Sequence, residues 1–145
     1  MIAMNTEASR ALRRACLHEY AHLVVARHFG AAGFVTIAGD ATSYRYGGRF
    51  QMYGELADDE WRIVALAGVV AERLDEEPAV SASVLAAALP ADSDGLSGTD
   101  AELAAGFDEA DVERCLCIIR TLWRDIASEA NERFASETAN RQALG

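Results

Sequence analysis

The sequence predicts an α+β fold, mainly helical, with a small β-sheet or hairpin between its first two helices. Three observations carry that expectation. Apolar residues recur at three- and four-residue spacing over most of the chain. One short β-branched stretch, from Gly33 to Gly39, interrupts this pattern between glycines. And 145 residues, half of them apolar, suffice for one core without disulfide or metal staples. A single domain over residues 1–145 is therefore expected.

The first helix is predicted over residues 7–29. Asn5 or Thr6 caps it, Glu7 suits its first turn and Gly30 stops it. Leu12, Ala15, Cys16, Tyr20, Leu23 and Val24 form its buried stripe. A strand follows over residues 33–39, then a second extended piece over 49–53, with Gly47-Gly48 as the turn before it. Tyr44, Tyr46, Phe50 and Tyr53 cluster here. They suit cross-strand packing, or an edge strand against which an extended peptide lies. Asp58 is expected to cap a second helix over residues 59–76, whose Gly68 signals close packing against another helix and which Pro78 ends. A short alanine-rich helix is predicted over residues 80–89, a loop over 90–98 and a further short helix over 99–106. One last long helix is predicted over residues 108–138, with a polar, frayed tail at 138–145.

Composition excludes several classes of function. Thirteen Lys and Arg stand against 23 Asp and Glu, a net charge of −10. Such a chain repels nucleic-acid phosphates and anionic membrane surfaces. Three cysteines cannot close a disulfide set, so a reducing compartment is expected. No apolar run reaches the roughly 18 to 20 residues of a membrane helix, and the first residues lack the apolar centre of a secretory signal. A cytoplasmic location follows as the expectation.

The chemistry is concentrated in His18-Glu19-Tyr20-Ala21-His22. Histidines four apart share one helix face and can hold one ion. The intervening glutamate lies about 100° round from His18 and reaches a water on the ion's open side. Zinc lowers that water's pKa, and Glu19 as general base takes its proton during attack on a peptide carbonyl. A third ligand is needed. His28 lies ten residues after His18, but Val25 stands where a chain reversal would need glycine. In a continuous helix His28 ends about 9 Å beyond His22 on another face, so it is rejected. Asp100, after the small-residue turn Ser97-Gly98-Thr99, and Glu72, on the second helix, are the stronger candidates. Asp92 and Asp94 are weaker ones. Spacing alone leaves Glu72 and Asp100 even.

The pattern resembles the peptidase domain of the FtsH-type AAA-coupled membrane proteases. There HEAGH stands on a helix, followed by a short β segment, a helix reading roughly ALGGRAAEE and a GASNDL-like turn. The counterparts are His18 to His22, Phe34 to Ile37, the helix from Leu66 to Leu74 and the turn from Leu96 to Leu103. The resemblance implies a zincin-like metallopeptidase fold with Zn2+ held by His18, His22 and Asp100. It makes Glu19 the base and Glu72 a carboxylate that orients a ligating imidazole. Tyr20-Ala21 replaces the family's Ala-Gly, Thr99 stands where Asn is usual, and the interval from Glu72 to Asp100 is longer.

The expected function is zinc-dependent hydrolysis of peptide bonds in peptides or unfolded protein segments. No nucleic acid or membrane takes part, and no ATPase motif G-x-x-x-x-G-K-[ST] is fused to the domain. Coupled unfolding therefore needs a separate unfoldase partner, and the oligomeric state is open. The alternatives are a catalytically silent zinc-bearing interaction module of the same fold and a metal-free helical adaptor.

Overall fold

The computed structural model describes residues 6–40, 45–89 and 104–144. Among the described residues, five helices and two strands follow in order. These are α1 (Thr6–His28), β1 (Ala32–Asp40), β2 (Arg45–Tyr53), α2 (Asp58–Glu76), α3 (Ala82–Ala88), α4 (Glu109–Thr121) and α5 (Trp123–Leu144). The fold is thus α+β and mainly helical, with a two-stranded antiparallel sheet between the first two helices.

Helix α1 is the central element, packing against α2, both strands and α5. Its periodic apolar face buries Leu12, Cys16, Ala21, Val24 and Val25 in one continuous core, which α2 completes with Ile63, Leu66 and Val70 and α4 with Val112, Leu116 and Ile119. It ends where Gly30 adopts a left-handed φ of 91° and Ala31 N–H returns to Ala26 O at 3.0 Å. A side chain at that φ would be strained, which explains the glycine.

The strands pair from Ala32↔Tyr53 to Asp40↔Arg45. Alternation turns Val35, Ile37 and Phe50 toward the core and leaves Phe34 and Tyr53 exposed on the outer face, their rings 5.8 Å apart. The aromatic cluster is therefore split between two faces, with Tyr46 and Phe50 inward and Tyr53 outward; Tyr44 lies outside the described residues. Gly47-Gly48, expected as a turn, is instead the middle of β2, paired with Ala38 and Ile37. Gly48 marks a close approach rather than a reversal: a Cβ there would collide with Glu19 Cγ.

Helix α2 starts one residue earlier than expected. Its cap is Ala57, whose N–H is bonded by the Glu60 carboxylate at 3.0 Å, while Asp58 joins Asp59 and Glu60 in the first turn. Three carboxylates there complement the positive end of the helix dipole. Arg114 hydrogen-bonds Asp59 at 3.0 Å, holding that carboxyl below its usual range and tying α4 to α2.

The last helix is two helices. Asp108 caps α4 through Asp111 N–H at 2.9 Å, and the chain breaks at Leu122, with φ −98° and ψ 8°. Thr121 Oγ1 donates back to Cys117 O at 2.9 Å, a bond that bends helices. Helix α5 then runs to Leu144, past residue 138, with Ile126 and Ala130 in the core. Of the helix expected over 99–106, residues 99–103 lie outside those described, and 104–106 form a turn. Among the described residues no helix is long and apolar enough to cross a membrane.

Arg133 and Arg141 of α5 donate to the Val35 and Gly39 carbonyls of β1. These bonds cover the outer edge of β1, a protection that two-stranded sheets otherwise lack.

The cysteines are free, with Cys16 and Cys115 buried and Cys117 exposed. Burial pushes the Cys16 thiol up to about 11 and the Cys115 thiol higher still. A water-soluble disulfide reagent is expected to titrate one thiol promptly in the native protein and all three after denaturation. Prompt reaction of a second native thiol would contradict this packing.

Candidate metal centre

His18 and His22 lie one turn apart on α1, where the 3.6-residue repeat places both imidazoles toward α2 and β2. Their ring centroids are 4.8 Å apart, nearly perpendicular. His22 is 2% exposed; its ring lies parallel to Phe50 of β2 at 5.9 Å, and its Nδ1 is 2.6 Å from the Val64 carbonyl of α2. A carbonyl only accepts, so Nδ1 carries the proton and Nε2 keeps the lone pair that a metal takes.

His18 is held in a matching way. Its Nδ1 is 3.4 Å from Glu72 Oε2, and its Nε2 turns toward Glu19 Oε1 at 3.8 Å. Glu72 therefore meets His18 on the side of the ring opposite Nε2, with its other oxygen 3.7 Å from Arg14 Nε. The ring rests on Gly68, where a Cβ would come within 2.5 Å of its Cε1 and Nε2. Gly68 thus makes the close approach expected of it, and the partner is the His18 imidazole.

Glu19 is 7% exposed, and its Oε1 faces His18 Nε2 at 3.8 Å. Gly48 gives it room beside β2. Donor atoms of His18, Glu19 and His22 lie within 4.8 Å of one another. Two imidazoles and a carboxylate around one point are the donor set of zinc and similar divalent metals.

His18 and Glu19 line a cleft of about 910 Å³, walled by the amino-terminal half of α1, the carboxy-terminal turns of α2 and the Tyr46–Gly48 stretch of β2, while His22 is buried and does not line it. His28 is exposed at the end of α1, its ring 5.2 Å from Phe29, and takes no part in the cluster. Asp100, Asp92 and Asp94 lie outside the described residues.

Reasoning from sequence missed three contributors: the Val64 carbonyl, the Gly48 approach and Arg14. A backbone carbonyl carries no side-chain signal. Arg14 had one, since it stands four residues before His18 and therefore on the same helix face. No protein-family model matches the chain, and no curated protein matches it.

Proposed function

We propose that this chain is a zinc-dependent metalloendopeptidase of the HExxH type, with a zincin-like fold akin to the FtsH-type peptidase domain. The observation that carries the reading is the His18–Glu19–His22 cluster, which reaches an open cleft through His18 and Glu19 and has an oxygen partner on the Nδ1 of each imidazole. A site whose imidazoles are oriented from behind is prepared for a metal before the metal arrives.

His18 and His22 hold the ion through Nε2, and Asp100 is the third ligand, as the family resemblance implies. Glu72 stays on the Nδ1 side of His18 as the orienting carboxylate. Zinc, when bound, acidifies water and stabilises negative charge developing on oxygen. Glu19 takes the proton from water as it attacks the scissile carbonyl and delivers it to the departing amine.

The substrate is a peptide or an unfolded segment lying along β2. Arg133 and Arg141 already occupy carbonyls on the outer edge of β1, whereas Tyr46, Gly47 and Gly48 of β2 line the cleft. Main-chain pairing with such an edge binds extended chains with little dependence on sequence.

The test is metal content of purified wild type, His22→Ala and Asp100→Ala by elemental analysis, with peptide cleavage followed in parallel. The expected result is one zinc per wild-type chain, lost or weakened in both variants together with cleavage. Zinc retained by Asp100→Ala reassigns the third ligand. Zinc bound without cleavage leaves the silent interaction module, and no zinc in wild type after incubation with the metal overturns the peptidase.

A further inference from the structure

Two four-residue ladders face each other across the α1–α2 contact, running antiparallel. On α1 the rungs are Arg14, His18 and His22; on α2 they are Glu76, Glu72, Gly68 and Val64. Arg14 meets Glu76 and Glu72, His18 meets Glu72 and Gly68, and His22 meets Val64. The outermost rung is charged, the middle one mixed and the innermost a histidine against a backbone carbonyl.

Glu72 occupies an awkward place in this series. Glu76 lies one turn further on the same face of α2, and like charges at that spacing repel. Glu72 is also part-exposed, with a flexible side chain that water can draw off the His18 ring. Arg14 opposes both tendencies, because its guanidinium reaches Glu72 Oε1 and Glu76 Oε1 together. That leaves Glu72 Oε2 for His18 Nδ1 at 3.4 Å.

We infer that Arg14 is a positioning residue of the metal centre, holding the His18 imidazole in its ligating orientation through Glu72. This deepens the metallopeptidase reading and rests on it for its purpose. Its contribution is to orientation rather than to folding. Arg14 is 60% exposed, and ion pairs so open to water add little stability.

The test uses the full chain as wild type, Arg14→Gln, Arg14→Lys, Glu72→Gln and the double variant Arg14→Gln/Glu72→Gln. Zn2+ affinity is measured by competition with a chromophoric chelator, and the His18 tautomer by heteronuclear NMR of the imidazole nitrogens in metal-free protein. Loss of an outer partner of a ligand typically costs about 10- to 100-fold in metal affinity. Glu72→Gln is expected in that range and Arg14→Gln at its lower end, about tenfold. The double variant should be no weaker than Glu72→Gln, because both residues act through one contact. Arg14→Lys should recover part of the loss, since it keeps the charge but not the fork that spans two carboxylates.

In metal-free protein, Arg14→Gln should lower the Nδ1–H population of His18 with no change in melting temperature. Wild-type affinity and an unchanged tautomer in Arg14→Gln would overturn the proposal while leaving the metal site standing. Additive losses in the double variant would overturn it as well. A wild type that takes up no Zn2+, yet shifts its His18 tautomer on Arg14→Gln, would support the positioning and sink the peptidase reading instead.

Discussion

Gly68→Ala is expected to lose at least tenfold in Zn2+ affinity while unfolding within about 2 kcal/mol of the wild type. The added methyl would stand 2.5 Å from His18 Cε1 and Nε2 and 2.7 Å from Cδ2, where carbon atoms need about 3.5 to 4.0 Å. The ring has no easy escape, with Glu72 at its Nδ1 and the His22 ring at 4.8 Å. Either His18 rotates or α2 retreats, and the second response is worse for the site. Val64 lies one turn before Gly68 on the same helix, so a retreat of α2 also draws its carbonyl away from His22 Nδ1. Both imidazoles lose their orientation through one methyl group. Folding is less affected, because alanine regains roughly 1 kcal/mol of helix propensity over glycine and offsets part of the overpacking. Chelator competition and a chemical-denaturation curve on the same preparation separate the two effects. Wild-type affinity in Gly68→Ala would show that His18 moves freely and would remove the helix contact from the account of the site.

That coupling also explains which parts of the molecule the sequence made legible. Helices α1 and α2 could be read because each repeats its apolar pattern with the period of a helix, and strand β1 because it is short, β-branched and bounded by glycines. His18, Glu19 and His22 could be read together for the same reason: their juxtaposition is local, set by one helix turn. The errors arose where a distant partner decides the local outcome. Gly47-Gly48 looks like a turn until Glu19 is known to lie against Gly48, after which a strand with no side chain at that position is what the packing demands. The apolar pattern of residues 108–138 continues across Leu122 because both helices bury residues in one core, so the break at Leu122 is invisible to periodicity. The ladder between α1 and α2 is legible in each helix as a four-residue spacing, but the match between the two depends on their relative register. Composition does not encode that register; the packing of α1 on α2, Gly68 against His18 included, sets it.

Glu19→Gln is expected to reduce peptide cleavage by about 10²- to 10⁴-fold, the usual contribution of a positioned general base, with metal content unchanged. The substitution preserves shape and the packing against Gly48, and it removes only the ability to take a proton at neutral pH. It also removes a charge from a site that is 7% exposed. Burying a carboxylate costs free energy that an amide of the same shape largely avoids, so the metal-free variant should melt at or above the wild-type temperature. Activity and stability then move in opposite directions, the pattern of a residue kept for chemistry at the expense of folding. A structural residue would behave otherwise, with stability and activity falling together. Three measurements on one variant therefore divide the roles open to Glu19. Cleavage lost with metal retained and stability raised assigns it as the base. Metal lost along with cleavage makes it a ligand, and the three donors within 4.8 Å then form the inner ligand set themselves. Cleavage retained moves the base elsewhere in the cleft, where Glu72 is, among the described residues, a second carboxylate in contact with His18.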